Sequence, residues 1–167
     1  EFIGRELVEM TRNIFPLSHK KEDTYLAGFS MGGYGAIRNG LKYHDTFGYI
    51  GAISAALLTD DLHNWGEGDD LLSSKSFAQS CFGDLNKVIG SDMDPKFLID
   101  DLIANDIEIP KIFMAVGDND FLYNENIDYY NYLKSRNVDV EFRCSSGEHT
   151  WEFCNDYIKE FIEWLPL

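Results

Sequence analysis

The sequence is short of positive charge, of cysteine and of long apolar runs, and each shortage argues against a class of protein. Fourteen Lys and Arg stand against 29 Asp and Glu, so the formal net charge is −15. Such a surface repels phosphates, which argues against nucleic acid and against an anionic membrane as partners. No apolar run approaches the roughly 18 residues of a membrane span, and the start has no signal-peptide pattern. We therefore expect a cytoplasmic protein acting on a small molecule.

The three cysteines also exclude some kinds of site. Cys81, Cys144 and Cys154 are an odd number without CxxC spacing. This favours reduced, buried thiols in a cytosolic setting over a disulfide framework or a structural zinc site. Two acidic segments, GDNDFLYNEN and DMDPKF, lack the ligand spacing of a calcium loop. The sequence therefore predicts neither a metal nor another cofactor.

Strand-like and helix-like patterns alternate along the 167 residues, which suit a single domain. Strands are predicted at 24–30, 49–58, 111–120 and 138–146. Helices are predicted at 2–15, 33–44, 73–82, 95–105, 124–137 and 151–165. This alternation indicates an α/β fold, a mostly parallel sheet with helices on both faces. In such sheets reactive groups collect just beyond the carboxyl ends of the strands.

One serine lies between two glycines where the first predicted strand gives way to a helix. The segment GFSMG (28–32) has the G-x-S-x-G pattern of a nucleophile elbow, in the strand–turn–helix context that an elbow requires. The serine must sit on a tight, strained turn, so we expect Gly28 and Gly32 to remove side chains that would collide with neighbouring backbone. Ser30 is the candidate nucleophile. The Met31 N–H, at the start of the helix, is the candidate oxyanion donor.

A serine hydroxyl needs a base before it can attack, and the chain offers four histidines. His149, in SSGEHTW, follows the last predicted strand and precedes the last helix, so it lies at a carboxyl edge of the sheet. His19 and His44 resemble solvated surface positions. His63 falls in an acidic segment, where a metal role is the less favoured possibility. His149 is therefore the candidate base.

The base in turn needs an orienting acid, which should follow the third strand. The segment VGDND offers two carboxylates, Asp118 and Asp120. We favour Asp120, three residues after Gly117, and keep Asp118 as the alternative. The chain order serine, acid, histidine is that of the α/β-hydrolases.

Three segments together carry a family resemblance: AGFSMGGYGA, GDNDFLYNEN and GEHTWEFCNDYIKEFIEWLPL. They resemble the esterase D-like branch of the α/β-hydrolases, which includes tributyrin-type esterases, S-formylglutathione hydrolases, and acetyl-xylan and feruloyl esterases. The resemblance extends from about residue 4 to the end. It implies a serine carboxylesterase that hydrolyses short-chain acyl esters through an acyl-enzyme, with Ser30 as nucleophile, His149 as base and Asp120 as acid.

The resemblance is to the carboxyl-terminal portion of that fold. In α/β-hydrolases the elbow strand is the fifth of about eight, and the second oxyanion N–H comes from a loop after the third. No segment upstream of residue 24 matches those strands. We therefore expect four strands, with the elbow strand at an apolar edge that is covered by an amino-terminal fragment or by a second copy of the chain. The alternative function is a catalytically idle fragment that only associates, and a further alternative is an amide or peptide substrate.

The segment 57–94 lies where this fold carries its cap. Its apolar residues either line an acyl or aromatic pocket or pack within a surface insertion; they are Leu57, Leu58, Trp65, Leu71, Leu72 and Phe77. Trp151, two residues beyond His149, either forms a wall of the pocket or packs beneath it. Trp65 and Trp151 are the candidate substrate-binding residues. The acidic composition favours neutral or cationic substrates over anionic ones.

Overall fold

The computed structural model describes residues 1–62 and 74–167. Within them the strands are β1 Tyr25–Phe29, β2 Tyr49–Ile53, β3 Lys111–Gly117 and β4 Val140–Ser145. The α-helices are α1 Leu7–Ile14, α2 Met31–Lys42, α3 Lys75–Phe82, α4 Pro95–Ala104, α5 Tyr123–Ser135 and α6 Trp151–Trp164. A π-helical turn, Phe2–Glu6, leads directly into α1. The predicted strands and helices are all present, with ends that differ by a few residues.

The four strands form one parallel sheet in the order β1-β2-β3-β4. One register line runs across it from Ala27 to Gly51, Phe113 and Glu141. Helices α2, α4 and α5 pack on one face and α6 packs on the other. The predicted α/β fold is confirmed. Because every strand points the same way, all four carboxyl ends lie along one rim of the sheet.

The face under α2, α4 and α5 carries the larger apolar core. Its fully buried members include Ile37, Leu41, Ile50, Ile99, Ile112, Met114 and Leu133. Helix α4 begins at Pro95 because the preceding Asp94 caps it: the Asp94 carboxylate accepts the Lys96 and Phe97 N–H groups. A cap followed by proline fixes where the chain turns back onto the sheet.

Helix α6 buries an aromatic stripe on the opposite face. Phe153, Tyr157 and Phe161 pack against strand residues that include Phe113. Close approach depends on Gly51, since a Cβ there would lie 2.8 Å from the Phe161 ring. The first turn of α6 is capped at its start by Thr150, whose Oγ1 accepts the Phe153 N–H at 3.3 Å. The loop just before that cap carries His149, so the packing of α6 also positions the candidate base.

Two predicted boundaries differ from the structure. Strand β2 ends at Ile53 instead of continuing to 58, because Ser54 takes a φ of 44° and turns the chain out of the sheet. Helix α2 begins at Met31, two residues earlier than predicted, directly after the elbow serine. Both differences place turns at the carboxyl rim of the sheet.

The cysteines depart from the prediction in one respect. All three are free thiols, but only Cys154 is partly buried, whereas Cys81 and Cys144 are exposed. Burial raises the pKa of the Cys154 thiol above its ordinary value. The expectation of buried thiols was wrong for the other two, because Cys81 lies on the outer side of α3 and Cys144 near the end of edge strand β4.

The described part of the cap-like segment buries apolar residues of its own. Leu62, Ala78, Leu85 and Val88 form a small cluster separate from the two faces of the sheet. Leu57 is buried in the main core, while Leu58 and Phe77 are half-buried. Trp65, Leu71, Leu72 and His63 lie outside the described residues. The described apolar residues of the segment thus pack partly against the main core and partly on one another, and the pocket alternative stays a prediction.

The start of the chain leaves an apolar face open. Phe2, Met10 and Ile14 are 59%, 49% and 63% exposed. Helix α1 is attached to the start of β1, because the Arg12 guanidinium donates to Oγ1 of Thr24, the residue before that strand, at 2.8 Å. Among residues 1–62 and 74–167, β1 pairs with β2 alone, which agrees with the predicted apolar edge. No helix in this part of the chain is long and apolar enough to cross a membrane.

Candidate active site

The residue between β1 and α2 has the backbone of a strained turn. Ser30 has φ 58° and ψ −121°, a region that residues with a Cβ rarely occupy. Hydrogen bonds hold it there: its N–H donates to Ile53 O at 3.0 Å, and its carbonyl accepts the N–H groups of Gly33, Tyr34 and Ala56 at 2.9–3.1 Å. The turn presents the Ser30 side chain at the carboxyl rim, as a nucleophile elbow requires.

The glycines of the elbow have different roles from those predicted. A Cβ on Gly28 would lie 2.1 Å from the Gly32 carbonyl oxygen, so glycine is required at position 28. A Cβ on Gly32 would meet nothing within 4 Å, so the expectation that Gly32 also relieves a collision was wrong. The second close approach is at Gly33, where a Cβ would lie 2.9 Å from Ala55. Of the two elbow glycines only Gly28 needs to lack a Cβ, because the elbow brings it against the backbone of residue 32.

The candidate base lies within hydrogen-bond distance of the candidate nucleophile. His149, in the loop between β4 and α6, has its Nε2 3.0 Å from Ser30 Oγ. Its Nδ1 lies 2.9 Å from Asp120 Oδ2 and 3.1 Å from Oδ1. The Asp120 side chain is fully buried, and that of His149 is 16% exposed. The structure therefore brings together three residues of which the outer two, Ser30 and His149, are 119 positions apart in sequence.

The loop after β3 fixes the carboxylate. Asp120 Oδ1 also accepts the Leu122 N–H at 2.8 Å, so the side chain is held from its own loop as well as by the imidazole. The alternative acid, Asp118, is exposed and accepts the Gly147 N–H at 3.2 Å instead. Gly117 allows the two loops to meet, since a Cβ on it would lie 2.3 Å from Gly147 O. Asp118 thus joins the acid loop to the histidine loop without contacting the imidazole.

Two phenylalanines that the sequence reasoning did not single out contact the imidazole. Phe29 stacks on His149 with ring centroids 4.5 Å apart and planes 27° apart, and Phe121 lies at the same distance, tilted by 45°. Trp151 follows at 5.3 Å from Phe29. Phe121 and Trp151 are each 70% exposed, so they form the rim of the site. Their signal in the sequence was adjacency, because Phe29 precedes Ser30 and Phe121 follows Asp120.

The helix N-terminus at the elbow supplies an unpaired amide. Met31 is the first residue of α2, so its N–H has no intrahelical acceptor. It is adjacent to the Ser30 hydroxyl, and the aligned peptide dipoles of the helix favour negative charge at this end. This geometry suits an oxyanion forming on a group bound to Ser30 Oγ.

The described residues contain two further histidines. His19 is exposed and precedes β1, and His44 is half-buried and follows the carboxyl end of α2, so both belong to the end of the sheet opposite the elbow. In the stretches 1–62 and 74–167, no group of three or more His, Cys, Asp or Glu side chains is arranged to hold a metal ion.

A family model, a protein relative and solved structures all match this chain and indicate the same family. The family model Esterase, described as "Putative esterase", matches residues 1–165. An acetyl esterase of Caldicellulosiruptor saccharolyticus is 43% identical over 166 residues, 99% of this chain and 62% of that protein.

Two solved structures from Staphylococcus aureus share the fold. An S-formylglutathione hydrolase is 35% identical with a TM-score of 0.81, over 96% of this chain and 61% of the other. A fluorophosphonate-binding serine hydrolase with substrate bound is 36% identical with a TM-score of 0.82, over 96% of this chain and 60% of the other. The chain thus spans about three fifths of the length of each of these relatives.

Proposed function

Because this chain belongs to the Esterase family, the esterase D-like group of α/β-hydrolases, we propose that it carries the reaction centre of a serine carboxylesterase. The substrate is a short-chain acyl ester, cleaved through an acyl-enzyme on Ser30. The observation that carries the proposal is the continuous contact from Ser30 Oγ to His149 and from His149 to the buried Asp120.

The two half-reactions follow from these contacts. With its proton on Nδ1 toward Asp120, the His149 ring has a free lone pair on Nε2 that accepts the Ser30 proton as Oγ attacks the acyl carbonyl. Collapse of the tetrahedral intermediate breaks the ester C–O bond, and the imidazolium returns the proton to the departing alcohol. Water then attacks the acyl-serine, with Nε2 taking one of its protons and returning it to Ser30 Oγ, which releases the acid.

Asp120 contributes orientation and charge. Its buried carboxylate selects the Nδ1–H tautomer and stabilises the imidazolium that forms in each half-reaction. The Leu122 N–H fixes the same carboxylate from its own loop, so the acid does not need to reorganise during the reaction.

We propose the Met31 N–H as one oxyanion donor. The second donor of the α/β-hydrolase fold comes from a loop after the third strand, which precedes the elbow strand, and the relatives are longer than this chain. Loss of one oxyanion donor typically lowers kcat by about 10²–10³. We therefore expect full activity only when a further segment covers the free edge of β1 and the apolar face of α1.

The rim of the site bears on the substrate. Trp151 and Phe121 offer apolar surface beside His149, where the leaving alcohol departs. We propose that Trp151 contacts the alcohol portion and that residues 57–94, with Trp65, act as a cap over the acyl side. The acetyl esterase relative supports a small acyl group. A cytoplasmic location also remains part of the proposal, supported by the three free cysteines.

Hydrolysis of p-nitrophenyl acetate tests the function. Ser30→Ala should reduce the rate to that of buffer, while Ser80→Ala, whose exposed hydroxyl lies on α3, should leave it unchanged. Asp120→Asn should lower kcat by about 10⁴, and Asp118→Asn should have little effect. A wild-type rate equal to buffer would support the idle fragment, and faster cleavage of a matched anilide than of the ester would support an amidase.

A further inference from the structure

Asn126, in the first turn of α5, is completely buried and uses its side-chain amide fully. Its Oδ1 accepts the Ala55 N–H at 3.1 Å. Its Nδ2 donates to Ala55 O at 2.9 Å and to Leu122 O at 2.7 Å. The amide therefore pairs with both backbone groups of Ala55 as a neighbouring strand would, and contacts a second loop at the same time.

The two partners of Asn126 belong to the two turns that hold opposite ends of the candidate site. Ala55 lies in the turn after β2, and the next residue, Ala56, donates its N–H to Ser30 O at 3.0 Å. Leu122 lies in the turn after β3 and donates its N–H to Asp120 Oδ1 at 2.8 Å. A continuous hydrogen-bonded path thus joins the nucleophile elbow to the acid without passing through His149.

Few other side chains could make this connection. An Asp at position 126 lacks both donors, and a Leu of similar size makes none of the three bonds. The sites it joins are turns, which lack the ladder hydrogen bonds that hold the strands in register. A small displacement between catalytic groups lowers the rate strongly, by about 10²-fold for 1 Å.

We propose that Asn126 is a positioning residue for the proposed hydrolysis. It fixes the acid loop against the elbow, so that His149 can contact Ser30 and Asp120 simultaneously. The inference rests on the proposed function. Because Asn126 contacts no reacting atom, its loss should lower kcat and the rate of acylation while leaving KM nearly unchanged.

The experiment compares Asn126→Leu with Leu133→Ala in the complete protein. Leu133 lies on the same helix and is equally buried, but its apolar side chain packs in the main core and cannot hydrogen-bond to either turn. Each variant is characterised by its Tm, by kcat and KM for p-nitrophenyl acetate, and by the rate of inactivation with a fluorophosphonate. All rates are measured well below the Tm of the least stable variant.

We expect Asn126→Leu to lose about 10–10² in kcat and in inactivation rate, with KM within a few-fold, and Leu133→Ala to lose Tm but keep kcat. The proposal is overturned if the two variants lose Tm to the same extent and also lose kcat to the same extent. It is equally overturned if Asn126→Leu keeps the wild-type kcat. If Asn126→Leu does not fold, Asn126→Ser is measured against the same criteria. Ser30→Ala is measured in the same series to distinguish failure of the positioning role from failure of the proposed function. If the proposed function is wrong, the Ser30→Ala variant has the same rate as the wild type.

Discussion

Ser30 is held in a conformation that a residue with a side chain adopts only under constraint, with a φ of 58°. Such strain typically costs about 1–3 kcal/mol, and it persists here because four backbone hydrogen bonds, from β2, from the turn after it and from α2, hold the residue. The fold therefore holds the proposed nucleophile in position. The same reasoning explains why small residues surround it, since the crowded backbone leaves no space for a Cβ at position 28.

Two substitutions in the elbow separate this crowding from a general preference for glycine. Gly28→Ala should lower the Tm and activity sharply, because its Cβ would fall 2.1 Å from Gly32 O. Gly32→Ala places its Cβ in open space within α2, where Ala is favoured over Gly by about 0.5–1 kcal/mol, so the Tm should stay or rise. Thermal unfolding of both variants checks this. A matching loss of Tm in Gly32→Ala would contradict the geometry.

At the scale of the elements, α2 is fastened to the segment that precedes α4. Arg38 donates to the Asp92 backbone carbonyl and, at 2.8 Å, to its carboxylate, and Lys42 donates to the same carboxylate. Tyr34 OH donates to Met93 O at 2.7 Å. The hydrogen bond from Lys42, together with the charge of Arg38, lowers the pKa of Asp92 below its ordinary value. Because α2 starts at the elbow, this cluster supports the helix whose N-terminus carries the proposed oxyanion donor.

Asp92→Asn should lower the Tm at neutral pH and much less in acid. A depressed folded-state pKa contributes stability above the ordinary value of 3.8, and that contribution disappears as pH falls below it. The carboxylate is 42% exposed, so the effect is small, about 1 kcal/mol or less, or roughly 2–4 °C. Thermal unfolding at pH 7 and pH 3 measures it. A difference in Tm that grows on acidification would show that the sign is wrong.

The elements themselves were largely predictable, because hydrophobic period and turn residues agree along most of the chain. Pro95 after Asp94 marks the start of α4, and the alternation in VDVEFRCS marks β4. The end of β2 was not predictable, since the apolar run AALL continues beyond Ser54 into the core as a turn. Composition alone does not distinguish a buried strand from a buried turn.

The site was predictable to the extent that each member follows a strand. Ser30, Asp120 and His149 lie at three carboxyl ends, and parallel topology brings those ends together. Asn126 was not predictable, because Asn124 precedes it on the same helix with the same chemistry, yet Asn124 is exposed and Asn126 buried. Only the position of the neighbouring turns distinguishes them.

Across the molecule, the edges of the sheet are less well covered than its two faces. Helices cover both faces, but among the described residues β1 pairs on one side only, and α1, which is hydrogen-bonded to Thr24 at the start of that strand, carries exposed apolar residues. Such an edge favours pairing with another polypeptide. The high negative charge opposes self-association, so the balance between the two should depend on salt.

Replacing Met10 and Ile14 together by Glu should reduce self-association of the 167-residue chain without lowering its Tm, because both side chains are about half or more exposed. The matched control replaces Ile162 and Ile103 by Glu in the same way; these side chains are 49% and 43% exposed, on α6 and α4. Light scattering after size-exclusion chromatography, at low and high salt, measures the mass. An equal reduction in both double variants would attribute association to general surface hydrophobicity instead of this face.

The free edge of β1 also has a practical consequence, because it lies directly beside Ser30. If the protein is divided at this edge, the proposed nucleophile, base and acid stay on one piece and the proposed second oxyanion donor lies on the other. Hydrolysis of a chromogenic ester would then report association of the two pieces, so the free edge of β1 suits the design of a split-enzyme sensor.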